Sequence, residues 1–195
     1  MTPLLSAWSA RAGQQSRHLA RQMFVSTDID MWEAVIKVHL RGTLAPTKHA
    51  VAYWRDRHKA GDPVPHPRII NTSSPSGLYG NIGQANYGAA KAAIALLTIV
   101  LGDELARLGI AANAITASAL TQTTQGLSAY VAQMIEIKER NGFDAGALSN
   151  IAPLVFRLAS AEAAAVTGRV FNVEAPRAKC RGAMAGADWN GPAAR

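Results

Sequence analysis

The stretch that most restricts what this chain can fold into is Asn71–Lys91, Asn-Thr-Ser-Ser-Pro-Ser-Gly-Leu-Tyr-Gly-Asn-Ile-Gly-Gln-Ala-Asn-Tyr-Gly-Ala-Ala-Lys. Its opening, Arg68-Ile-Ile-Asn-Thr-Ser-Ser, reads as a short strand, and Gly77, Gly80 and Gly83 punctuate the loop that follows. A long helix is expected from about Gln84 to Leu108, with Gly109 as its natural cap, and Ile110–Ala117 reads as a second strand. A strand reached through a helical crossover pairs in parallel, so this stretch alone selects an α/β class with a parallel sheet.

The same residues carry chemistry. Tyr87 and Lys91 stand four apart on a helix and share one face. A free tyrosine, with a pKa of about 10, is a poor acid–base group near neutrality. A neighbouring ammonium favours the phenolate; a fall of about 3 pH units corresponds to roughly 4 kcal/mol, within reach of one desolvated charge and a bound cationic ring. Ser74 lies at the C-terminal end of the preceding strand, where open α/β sheets place their ligands, and its hydroxyl suits a carbonyl oxygen. Tyr-x-x-x-Lys by itself is a weak signal; the surrounding residues make it specific.

Those surroundings, the strand Ile69–Ser74, Gly77, Gly80, Gly83 and the Gln84-Ala-Asn that precedes Tyr87, closely resemble the active-site segment of the short-chain dehydrogenase/reductase family. The resemblance runs in order over residues 27 to about 173 and implies the C-terminal part of a Rossmann-like, doubly wound parallel sheet. It implies roles: Tyr87 as general acid/base, Ser74 orienting the substrate carbonyl, and Lys91 binding the nicotinamide ribose and lowering the tyrosine pKa. The family's usual asparagine on the preceding helix is replaced by His39, in Val38-His39-Leu40, as in the (3R)-hydroxyacyl-CoA dehydrogenase branch. An imidazole there can hold a proton-relay water and can itself titrate. Thr121 aligns with the residue that contacts the nicotinamide carboxamide, although Ala117-Ser118 stands where the family has Pro-Gly, and 122–148 is expected to form a substrate lid. The implied cofactor is NAD or NADP, and the implied substrate a hydroxyacyl or oxoacyl compound.

The rest of the chain is read as follows. Ser26-Thr-Asp28 opens a helix that runs to about Trp54, with Pro46 expected to kink or divide it, and Arg55–Pro67 is a loop. Helices are also expected near Leu127–Lys138 and Asn150–Leu158, and Gly168–Val173 is read as the last strand. This gives an irregular segment 1–26, a partial domain 27–174 and an irregular tail 175–195. Before Gly42 the only glycine is Gly13, so the glycine-rich turn that approaches a dinucleotide pyrophosphate is absent from this stretch. The Gly77–Gly83 series has the wrong spacing to replace it, and Glu174-Ala-Pro-Arg stands where the family has glycines. The expectation is a truncated or frame-disrupted family sequence.

Composition separates the alternatives. A hydrophobic share of 49% suffices for a core, and the net charge of +7 is scattered rather than gathered into a groove interleaved with aromatics. Nucleic-acid binding therefore rests on charge alone and is not expected. No apolar run is read as approaching the roughly 20 residues of a membrane span. A single cysteine, Cys180, suits a reducing compartment, and cytoplasm is the expected location. The remaining histidines show no ligand spacing, so no metal is expected. Two readings stay open: an oxidoreductase, and a non-catalytic partner associating through the helices at about 29–54 and 84–108, which the resemblance identifies as a subunit interface.

Overall fold

A computed structural model describes residues 22–117, 128–142, 144, 147–174, 177–181 and 188–189. The strands β1 (Arg68–Thr72), β2 (Ala111–Ala117), β3 (Arg169–Glu174), β4 (Arg177–Arg181) and β5 (Asp188–Trp189) form one sheet in chain order. β1, β2 and β3 are parallel, with Thr72 opposite Ile115 and Thr116 opposite Asn172, and β4 and β5 add antiparallel. The α/β class with a parallel sheet is as the sequence implies. The tail is not wholly irregular as expected: Arg177–Arg181 pairs with β3 from Glu174–Arg177 to Val170–Arg181. Main-chain bonds to a free strand edge require no period-two pattern, which is why the sequence hides this strand.

Helices α1 (Ile29–Ile36), α2 (Gly42–Lys59), α3 (Pro75–Tyr79), α4 (Ala85–Glu104), α5 (Ser128–Asn141) and α6 (Ala152–Ala159) complete the fold. Asp28 caps α1, its carboxylate accepting from the Met31 N–H at 2.7 Å, as the Ser-Thr-Asp entry predicts. Pro46 does not divide the long helix. Pro46 withholds one bond, to the Gly42 carbonyl, and α2 runs through it. The irregularity falls a turn earlier, where Lys37–Arg41 forms a π turn and the Gly42 N–H reaches back to the Lys37 carbonyl.

The sheet is covered on both faces, as its alternation demands. Ala95 and Ile99 of α4 pack on Ala114 and Val170, while Val51 and Trp54 of α2 pack with Ile69 and Ala112. On the opposite face Leu154 and Leu158 of α6 pack on Ile115, Phe171 and Val173. The buried side of α4 recurs at helical spacing, through Ala90, Lys91, Ile94, Ala95, Thr98 and Gly102. Gly102 makes backbone contact with the residue that leads into β3, since a Cβ there would lie 2.5 Å from the Cα of Gly168. The expectation that no apolar run reaches membrane-span length needs correction: α4 is long and apolar enough on those two measures. Its inner side packs on the sheet, with a third of the span buried, and its outer side carries the exposed Leu96 and Val100.

Candidate active site

Three consecutive residues at the end of β1 organise the site. The Thr72 carbonyl accepts from the Lys91 Nζ at 2.8 Å. Ser73, whose N–H donates to the Ile115 carbonyl at 2.8 Å, turns its hydroxyl to the Lys91 main-chain carbonyl at 2.7 Å. Ser74 follows and caps α3, its Oγ accepting from the Ser76 N–H at 3.2 Å. Since that bond uses an oxygen lone pair, the hydroxyl proton is left to donate, and Ser74 is near enough to Tyr87 to favour its phenolate.

The short helix α3 inside the glycine loop was not anticipated, although Ser74 at the cap and Pro75 in the first turn are its signature. Asn172 holds its far end, donating to the Tyr79 hydroxyl at 3.4 Å while accepting from Thr116 at 2.7 Å. Gly77 allows α3 to lie on α4. A Cβ at that position would stand 2.6 Å from the Ala92 nitrogen and 2.7 Å from the Lys91 carbonyl carbon. The glycine is therefore consumed by helix packing, which supports its exclusion as part of a phosphate cradle.

The other two groups close on Tyr87. The Lys91 Nζ lies 5.6 Å from the centroid of the phenol ring. The imidazole of His39, from the π turn, meets the same ring edge-on, with centroids 5.0 Å apart and planes at 85°. Thr43 donates its hydroxyl to the His39 carbonyl at 2.8 Å. The structure thus brings Ser74, Tyr87, Lys91 and His39 together. Thr121 lies outside the described residues, as does part of the expected lid; within that segment, Ser128–Asn141 is helical.

The electrostatics differ from the sequence expectation in two respects. Burial pushes the Tyr87 phenol up from its ordinary value and the Ser74 hydrogen bond pulls it down, with burial dominant. Lys91, expected to depress the phenol, is itself lowered by burial to about 8. His39, expected to be able to titrate, has its pKa lowered to about 4 by burial and then by the Lys91 charge. At neutral pH the set is a phenol holding its proton, a mostly charged lysine and a neutral imidazole. Such a set can deliver a proton to an oxygen placed between Ser74 and Tyr87.

A three-stranded parallel run of sheet with a Ser, a Tyr and a Lys converging at its C-terminal edge defines an α/β fold of the Rossmann type. The family profile for short chain dehydrogenases matches residues 10–132, beginning upstream of the stretch the motifs mark. A hydroxyacyl-CoA dehydrogenase of Mycobacterium tuberculosis is 42% identical over 159 residues, covering 80% of this chain and 48% of that protein. A 3-oxoacyl-acyl-carrier-protein reductase of Synechocystis is 36% identical over 149 residues, 75% of this chain and 56% of that one. The crystal structure of a short chain dehydrogenase from Mycobacterium avium superposes with a TM-score of 0.70 at 37% identity, over 98% of this chain and 66% of that one. The chain belongs to the short chain dehydrogenase family, and it spans about half the length of the two curated relatives described here.

Proposed function

We propose that this chain carries the proton-transfer half of an NAD(P)-dependent oxidoreductase that interconverts a secondary alcohol and a ketone, of the 3-hydroxyacyl/3-oxoacyl thioester type. The observation that carries the proposal is the convergence of Ser74, Lys91 and His39 on Tyr87, with Lys91 and His39 packed on its ring. The substrate class follows the hydroxyacyl-CoA dehydrogenase and 3-oxoacyl reductase relatives. Their extent beyond this chain makes the activity a property to be tested on it.

In the reductive direction a substrate carbonyl oxygen enters between Ser74 and Tyr87 and takes a hydrogen bond from each. Ser74 keeps its cap on α3 through an oxygen lone pair, so its proton remains available to that oxygen. Tyr87, held up by burial, retains its proton until the oxygen becomes basic and then transfers it. The resulting phenolate lies beside the Lys91 ammonium, and His39 stays neutral and holds the relay water. A bound nicotinamide dinucleotide supplies the hydride. Tyr87 and the remaining donors of Lys91 fit its ribose end, while the described residues offer no glycine turn for its phosphates.

The second reading, association with another subunit, has its own observation. Leu96 is 63% exposed and Val100 41%, in line with the exposed Ala85, Ala89 and Ala92 along one face of α4, and Leu44 of α2 is 43% exposed. Titrating the chain with NADH and NADPH by fluorescence separates the two readings. Saturable binding with Kd on the order of micromolar supports the oxidoreductase. No binding at roughly millimolar cofactor sinks autonomous activity, and Leu96→Glu in sedimentation velocity then tests association, which it should weaken.

A further inference from the structure

Lys91 is gripped at both ends by neighbouring residues of one strand end. Thr72 takes its ammonium through a main-chain carbonyl, and Ser73 takes its main-chain carbonyl through a hydroxyl. The next residue, Ser74, adjoins the Tyr87 phenol. Consecutive residues of β1 and its exit therefore address the head of the lysine, its backbone and the head of the tyrosine one turn before it. Ser73 is 3% exposed and Lys91 9%. The Lys91 carbonyl lies inside α4, where its ordinary partner is the N–H four residues on. The hydroxyl is thus an additional donor, not needed to satisfy the helix. Gly77 presses α3 onto the same point of α4, at Lys91 and Ala92.

We propose that Ser73 is a positioning residue for this site: its buried hydroxyl, bonded to the Lys91 main-chain carbonyl, fixes how far the lysine ammonium reaches toward Thr72 and Tyr87. The proposal rests on Lys91 being the site lysine of the reading above. Without the bond the strand end and the helix separate slightly, Nζ leaves the Thr72 carbonyl, and the ammonium finds water. With it the head group stays in a desolvated position, consistent with the value of about 8. Ser73→Ala leaves no orphaned group, since the helix still satisfies the carbonyl, so the fold should survive.

The test is a titration of the Lys91 head group by NMR on chain labelled at lysine with carbon-13 and nitrogen-15, assigned with a Lys91→Met sample. In the parent chain the midpoint is expected at about 8. In Ser73→Ala it should rise by about one pH unit or more toward the ordinary lysine value, and Ser73→Thr, which keeps the hydroxyl, should restore it. Thr98→Val removes another buried hydroxyl that donates to a main-chain carbonyl of α4, that of Ile94 at 2.8 Å, and should leave the Lys91 midpoint in place. A folded Ser73→Ala chain with an unmoved midpoint overturns the proposal, as does an equal movement in Thr98→Val. Should Ser73→Ala fail to fold, Ser73→Cys fills the same space with a weak donor and is read in the same way. The titration needs neither cofactor nor turnover. A chain that binds no nicotinamide but shows the movement supports the positioning and removes the functional reading, and the opposite pair of results overturns the positioning alone.

Discussion

Replacing Lys91 with Met should make the protein more stable at neutral pH while removing a group that the proposed chemistry uses. Lys91 is 9% exposed, and burial lowers its pKa from 10.5 to about 8. Between those values the unfolded chain holds a proton that the native chain does not, so native stability rises with pH through that window. Below pH 8 both states are charged and burial of the ammonium costs its full amount. The interval, 10.5 − 8 = 2.5, corresponds at 1.36 kcal/mol for each pH unit to about 3 kcal/mol. Methionine has a similar length without the charge, and the Thr72 carbonyl, on an exposed residue, can turn to water. Lys91→Met is therefore expected to exceed the parent by about 2–3 kcal/mol in urea unfolding at pH 7, with the gap closing as pH approaches 10.5. A parent chain that is the more stable at pH 7, or a gap that does not change between pH 7 and 10, refutes the reasoning. A confirmed gain would be a stability–function trade at one side chain.

Tyr87→Phe should lower turnover of a 3-oxoacyl thioester by about 10²–10⁴ while leaving urea stability within about 1 kcal/mol, and activity kept within tenfold would remove Tyr87 as the acid. His39 should show an NMR midpoint near 4. As the unfolded chain takes up that proton first, His39 should withdraw stability as pH falls from 6.5 to about 4. His39→Asn should flatten that part of the pH–stability curve, and an unchanged slope would contradict the assignment. Gly77→Ala and Gly80→Ala make a matched pair. The first drives a Cβ into the backbone of Lys91–Ala92 and should cost about 3 kcal/mol or more. The second faces open space, so its cost of about 1–3 kcal/mol comes from the backbone alone, at φ +74° and ψ 162°; a smaller loss for Gly77→Ala than for Gly80→Ala in urea would show the close approach to be absent.

Much of the site was legible because its signals are local. The strand into Ser74, the helix bearing Tyr87 and Lys91, and the Gly109 cap, found at φ +69°, each follow from a few adjacent residues. Features fixed by distant backbone were not. Ser73 differs from its neighbour in sequence only by position, and its partner is a main-chain atom 18 residues away. The β4 strand exists through pairing with β3. The protonation of His39 depends on burial and on a lysine from another helix, neither visible in Val-His-Leu. The upward push on the Tyr87 phenol was hidden for the same reason: sequence places an ammonium nearby but does not disclose the burial of the phenol. The α3 turn was legible in Ser74-Pro75 and was obscured by the glycines around it.

The glycines that meet α4 have a consequence for how such a site can change. The helix touches backbone at Gly77, beside Lys91, and again through Gly102 at Gly168. Lys91 and Gly102 are three turns apart, about 16 Å along the axis. A rod supported at two points by bare backbone can neither slide nor roll by the tenths of an ångström through which packed helices usually adapt. Tyr87 and Lys91 are thus a fixed datum. Variation in which molecules reach them has to come from whatever forms the facing wall, while the tyrosine and its lysine stay where the two glycines put them.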